Sequence, residues 1–170
     1  MRQGLSAVYV KKLESPEPLR IRSRIGAVVP LFCTAVGKVM LAYMPDEERE
    51  TVFPQLELKR FTTNTGGNLR EPESELCRVR KNGYACDLEE HERHIRCVAA
   101  LIWEHAGRVN ASLSITAPMM RMAVSPIRQL APLIQAASLP ISRDLGYQVV
   151  SYSWPLRKNS PAEVLLAKTV

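Results

Sequence analysis

Residues 82–103 read NGYACDLEEHERHIRCVAALIW. Gly83 stands where a helix C-terminal cap belongs, and Tyr84 to Cys86 is strand-like. Asp87 to His94 is a charged stretch, and Ile95 to Trp103 is an apolar run of strand length. Beyond it, His105-Ala106-Gly107 reads as a hairpin connection into another strand, Arg108 to Ile115. Upstream, Pro72 to Asn82 places Leu76, Val79 and Arg80 at helical intervals. A helix, a short strand and a long hairpin in succession predict an α+β domain with an antiparallel sheet.

The flanks extend this pattern. Ala7 to Leu13 (AVYVKKL) is β-branched and aromatic and predicts a strand, followed by a turn at Ser15 to Pro18. Leu19, Ile21 and Ser23 alternate with Arg20, Arg22 and Arg24, which predicts a strand with one buried and one cationic face. Thr34 precedes AVGKVMLAYM as a good N-cap, with Val36, Val39, Met40 and Tyr43 at helical spacing. Pro45-Asp46 ends that helix and opens a second, Glu47 to Phe53, with acids in its first turn. Residues 54–71 read as loop. The last helix spans 125–145 and ends at Gly146, with Pro140 expected to kink or split it. Residues 1–147 form the expected domain, and 148–170 read as a C-terminal tail.

Composition narrows the function classes. The chain has 170 residues and is 46% hydrophobic, enough for one domain with a real core. No apolar run approaches the ~20 residues of a membrane span, and Met1 to Val10 lacks the apolar core of a signal peptide. A cytoplasmic protein with no membrane partner is expected. The four cysteines form no C-x-x-C pair and read as buried free thiols. Net charge is +6, and residues 1–25 hold six basic side chains against Glu14 and Glu17. Such an edge, with Arg20, Arg22 and Arg24, either attracts nucleic acid or an acidic ligand or is simply a solvated strand.

Three elements could carry chemistry. The Thr34 cap opens onto Ala35, Val36 and Gly37, small residues whose free N–H groups suit an anion at a helix N-terminus. Asp87, His91 or His94, and Cys97 could form a thiol nucleophile with its base and orienter, giving a Cys97-dependent hydrolase. Equally, Arg96-Cys97-Val98 reads as a strand interior where a thiol only packs. Ser112, Ser114 and Thr116 share one strand face, as structural hydrogen bonds or as a polar patch in a pocket. Cys97, His91 and Asp87 lack the short ligand spacings of a structural zinc site, so no metal or cofactor is expected.

Five blocks, in order and correctly spaced over residues 7–147, resemble the effector-binding domain of the IclR-type bacterial transcription regulators. They are Ile25-Gly26 with Val29-Pro30-Leu31 and Thr34-Ala35-Val36-Gly37-Lys38; Asn82 to His91; Ile95-Arg96-Cys97-Val98-Ala99-Ala100; Ser112 to Pro118; and Ile141 to Tyr147. The opening strand and the Arg20 to Gly26 segment look most like the sugar-acid-sensing branch. The resemblance implies a GAF-like fold, a curved antiparallel sheet flanked by helices, acting as a sensor and not as an enzyme. It implies a pocket for a small organic-acid effector, lined by the backbone amides of Ala35 and Val36. Side chains of Asp87, Cys97, Ser114 and Thr116 and apolar walls from Ile21, Val29 and Ile95 would complete it. It also implies a homodimer or homotetramer, and DNA contact only through an N-terminal winged helix-turn-helix domain missing from these residues. The basic edge and an exposed apolar face from Val36 to Tyr43 are the expected subunit contacts. There are departures: the family usually has glycine at His94, often proline at Leu101 and commonly serine at Thr116, and Pro140 interrupts the final helix; the changes at His94 and Leu101 are expected at the pocket mouth.

Overall fold

A computed structural model describes residues 1–19, 21, 23–65 and 72–148. Among these residues, six strands and four helices are laid out as two three-stranded antiparallel sheets with helices against them, an α+β architecture. The first sheet has the order β1 (Arg2–Gln3), β2 (Ser6–Val8), β3 (Val28–Pro30). The second is β4 (Tyr84–Leu88), β5 (Ile95–Ile102), β6 (Ala111–Pro118). One backbone bond, Arg2 N donating to Asn110 O at 2.7 Å, links the two where a single curved sheet was expected.

Helix α1 (Ala35–Ala42) is buried over its whole length, against one face of the second sheet. Its sequence, AVGKVMLA, is apolar all round but for Lys38, and such a helix belongs inside. The apolar stretch from Val36 to Tyr43 is therefore the core of this chain, not an exposed face awaiting a second subunit. At Gly37 an added Cβ would stand 2.2 Å from the Leu31 carbonyl oxygen, so the helix lies directly on the segment before it. Helix α2 (Asp46–Val52) follows Pro45 and runs into a 3₁₀ turn, Phe53–Gln55. Helix α3 (Pro72–Asn82) packs on α1 and ends at Gly83, whose φ of 73° is the left-handed value that glycine adopts freely.

The opposite face of the second sheet is covered by α4 (Val124–Asp144). Pro140 does not split it, and Pro132 also lies within its 21 residues. Each proline costs a helix interior about 3 kcal/mol. Burial of Ile127, Ala131 and Ile134 against Val98 and Ala100 offsets that by roughly 1.5–3 kcal/mol for each large side chain.

Several boundaries move. Regular pairing in the first strand covers Ser6–Val8, not Ala7 to Leu13. No strand forms at the described residues between Leu19 and Arg24; Arg20 and Arg22 lie outside the described residues. Instead Lys12 Nζ donates to the carbonyls of Ile21 and Ser23, both at 2.9 Å, and fastens that segment without a ladder. Strand β4 extends to Leu88 and takes Asp87 out of the charged turn. Strand β6 begins and ends three residues later than its sequence suggests, because Arg108 and Glu104 close the hairpin, with Glu104 N donating to Arg108 O. Cys77 is exposed, contrary to four buried thiols. The expected tail lies outside the described residues from 149 onward.

Candidate functional site

The site begins at the first turn of α1. Thr34 has extended backbone, and its Oγ1 accepts from Gly37 N at 3.1 Å while donating to Pro30 O at 2.7 Å. The Ala35 and Val36 N–H groups, earlier in the same turn, have no intrahelical acceptor and sit at the positive end of the helix.

The sheet brings the other groups to the same place. Register pairs Asp87 with Cys97 and Cys97 with Thr116, so these three form one row across β4, β5 and β6. The next row is Ala85, Ala99 and Ser114. Alternation along each strand puts both rows on the α1 side. Ser112, two residues further along β6, donates to Val36 O at 3.3 Å and ties the helix to the sheet.

Ala35, Val36, Asp87, Cys97, Ser114, Thr116, Ile21, Val29 and Ile95 all line one cavity of about 190 Å³. Tyr9, Ser23, Thr34, His91 and Glu92 are on the same wall. Six of these residues, including Tyr9, Ile21 and Ser114, also border a larger and mainly apolar groove of about 790 Å³ beneath residues 10–19.

Asp87 is strongly perturbed. Its Oδ1 accepts from Glu90 N at 2.7 Å and His91 N at 3.4 Å. Burial pushes its carboxyl up to about 7, Glu90 adds to this, and the two backbone bonds and Lys38 oppose it. Cys97 is pushed up to about 12, by burial and then by Asp87, and its Sγ accepts from Thr116 Oγ1 at 3.2 Å. That is the reverse of an activated thiolate. Burial also raises Tyr9 to about 12, with Cys97, Glu92 and Asp87 contributing, and lowers His91. His91 packs edge-on to Phe61, ring centres 5.0 Å apart, and its Nδ1 is 3.7 Å from Glu92. Among the described residues no three His, Cys, Asp or Glu side chains are grouped to hold a metal ion.

A second set of charges lies behind the cavity. Lys38 is 1% exposed, and its Nζ is 2.6 Å from Glu90 Oε1 and 3.3 Å from Glu75 Oε1. It thereby joins α1 to α3 and to the turn that holds Asp87. Sequence reasoning missed this lysine as a site-supporting group; the signal was a single charge inside a wholly apolar helix.

The family model for the bacterial transcriptional regulator IclR C-terminal domain matches residues 1–143. This chain belongs to the IclR family. It is 39% identical over 142 residues to the transcriptional regulator KdgR of Dickeya chrysanthemi, covering 84% of this chain and 47% of that protein. It is 35% identical over 144 residues to XynR of Escherichia coli, covering 85% and 57%. The chain thus spans about half the length of these relatives. The Thermotoga maritima IclR crystal structure superposes with a TM-score of 0.80 at 36% identity, covering 86% of this chain and 59% of that one. The C-terminal domain of Escherichia coli KdgR gives 0.69 at 32%, covering 86% and 84%.

The departures at His94 and Leu101 are not at the cavity, whereas Thr116, where the family commonly has serine, lines it. His94 is exposed and has a φ of 64°, a left-handed conformation that explains the usual glycine. Glu89, also left-handed at 65°, holds this turn by accepting from His94 N at 3.2 Å and from the Arg96 guanidinium at 2.8 and 3.1 Å. Leu101 is 1% exposed and belongs to the core under α1. Tyr9, Ser23 and Glu92 line the cavity without having been singled out. Tyr9 and Ser23 lie in stretches read as strands, and Glu92 in a stretch read only as charged.

Proposed function

We propose that this chain is the effector-sensing domain of an IclR-type transcription regulator and that the cavity at the α1 N-terminus takes a small organic acid of the hydroxy-, keto- or sugar-acid class. The observation that carries this reading is the convergence of the α1 amide end with the Asp87–Cys97–Thr116 row and Ser114 on one cavity. A carboxylate would dock on the Ala35 and Val36 amides. Ser114 and Thr116 would read its remaining polar groups, Asp87 would face it across the cavity, and Ile21, Val29 and Ile95 would form the apolar walls. A buried polar wall rejects analogues that leave its groups unpaired. The reading assigns no catalytic residue, since the Cys97 thiol is held protonated.

In the whole regulator, DNA contact falls to the part of its relatives' length that this chain does not span, and the protein works as a cytoplasmic homodimer or homotetramer. Ligand binding would bias the packing between subunits and hence the spacing of the DNA-binding heads. Among the described residues, no helix is long and apolar enough to cross a membrane.

A thermal-shift screen of hydroxy- and keto-acids tests the assignment. A ligand that binds only the folded state stabilises it by about 2.7 kcal/mol at roughly 100 times its Kd. Ser114→Ala removes one hydroxyl from the wall and lowers the response by on the order of 1 kcal/mol. A stabilising acid that acts equally on the parent, Ser114→Ala and Asp87→Ala chains binds elsewhere.

A further inference from the structure

The cavity is unusual for an acid site in its charges. Asp87 and Glu92 line it, and among the described residues no lysine or arginine does. The buried cation nearest in the fold, Lys38, faces Glu90 and Glu75. Arg96 is engaged by Glu89, and Lys12 by Glu14 and two carbonyls on the outer groove. An entering carboxylate therefore meets helix amides, hydroxyls and a second carboxylate.

Only one oxygen of Asp87 is used by the protein. Oδ1 accepts the two turn amides, while Oδ2 has no hydrogen-bond partner among the described residues. Two carboxylates sharing a buried site cannot both remain ionised without a cation. With a proton on Oδ2, Asp87 becomes a hydrogen-bond donor and the conflict turns into a contact.

The geometry points to Asp87 as the specificity-determining residue for singly charged acids: it takes up one proton with the ligand and donates it in a hydrogen bond to the bound carboxylate. This rests on the acid-sensing reading above and adds the charge the site accepts. A second negative group on the ligand would find Glu92 and, among the described residues, no cation, so dicarboxylates and phosphorylated acids are disfavoured. The proton comes from solvent, and no covalent bond changes in the ligand.

The groups facing Asp87 are Tyr9 after β2, Cys33 before α1, Lys38 on α1, Glu90, His91 and Glu92 in the turn, and Cys97 on β5. Tyr9, Cys33 and Cys97 stay neutral near pH 7, being held up near 12. His91 is pushed down by burial, against the nearby Glu92 carboxylate.

Calorimetry on the full chain tests this with two matched pairs, D-glycerate against tartronate and gluconate against glucarate, each pair differing by one terminal carboxylate. For the monoanion, Kd should stay flat below about pH 7 and weaken about tenfold per unit above it. Uptake of one proton should appear when two buffers of different ionisation enthalpy are compared above pH 7, a measurement that needs no variant. The dianion should bind at least about tenfold more weakly. Asp87→Asn should abolish the pH dependence, and His91→Gln should leave it in place. Monoanion binding that is independent of pH and takes up no proton overturns the proposal while the acid-sensing reading stands, with Asp87 then an acceptor for a ligand hydroxyl. Dianions binding as tightly as monoanions, or loss of the pH dependence in His91→Gln, overturns it too. Failure of all four probes to bind between pH 5.5 and 8.5 removes both readings.

Discussion

On the α4 side of the second sheet, Val98 and Ala100 meet Ile127, Ala131 and Ile134, with Tyr84, Leu88 and Leu113 around them. On the α1 side, the same three strands present Asp87, Cys97, Ser114 and Thr116, with Lys38 and Glu90 buried close behind. The strands are shared, and a shift of one residue exchanges the two sets. The hydrocarbon face gains stability from area alone. The polar face must satisfy each buried group, and among the described residues Asp87 Oδ2 has no hydrogen-bond partner. The difference separates the side that holds the domain together from the side that can recognise something.

The largest effect should come from the polar face. Lys38→Met takes the buried ammonium away from both Glu90 and Glu75, and should destabilise the domain by roughly 3–5 kcal/mol. The combined change Lys38→Met, Glu75→Gln, Glu90→Gln should recover most of that loss in urea denaturation. If the single variant is as stable as the parent, the charges are solvated and the contrast between faces is weaker than drawn. On the other face, Ile134→Ala should cost roughly 2–5 kcal/mol by opening a cavity. Its affinity for any acid that binds the parent should be unchanged, and a parallel loss of affinity would show the faces to be coupled.

Asp87 gives a smaller effect with a defined pH window. Its folded carboxyl lies near 7 against 3.8 for a free one, so between these values the folded state binds more protons than the unfolded. Stability from this group is complete below about pH 4 and is lost as pH rises through 7. Asp87→Asn escapes that loss, so its advantage over the parent should grow from pH 4 to 7 and then level off, at on the order of 1 kcal/mol or more. A constant difference across that range would mean that the carboxyl titrates normally. The smallest change is His94→Gly, which relieves a left-handed histidine and should stabilise by about 1 kcal/mol without altering ligand affinity.

The parts legible in the sequence were those set by local rules. Thr34 capped its helix, Pro72–Asn82 closed at Gly83, and the hairpin at His105-Ala106-Gly107 formed where its turn residues lie. The site residues came together because register and resemblance both constrained them: Asp87 and Cys97 are paired across β4 and β5. What stayed hidden depended on long-range partners. Nothing local to Lys38 reveals Glu75 or Glu90, 37 and 52 residues away. The stretch from Leu19 to Arg24 alternates as a strand would, yet Lys12 rather than a neighbouring strand takes its Ile21 and Ser23 carbonyls. The prolines of α4 mattered less than rules for isolated helices imply, because Ile127, Ala131 and Ile134 of the same helix pack on the sheet in compensation.

Gly37 bears on how tightly any ligand can be held. With no side chain there, α1 rests on the Leu31 backbone, and any larger residue would lift the helix and the Ala35 and Val36 amides away from the sheet. The jaw of the cavity is thus set before a ligand arrives, braced from behind by backbone and across the sheet by Ser112. A pre-formed jaw loses little conformational entropy on closing around its guest, so affinity is spent on discrimination rather than on ordering the protein. The opposite wall is built differently: around Ile21 and Ser23 it is irregular, and the Lys12 side chain takes both carbonyls.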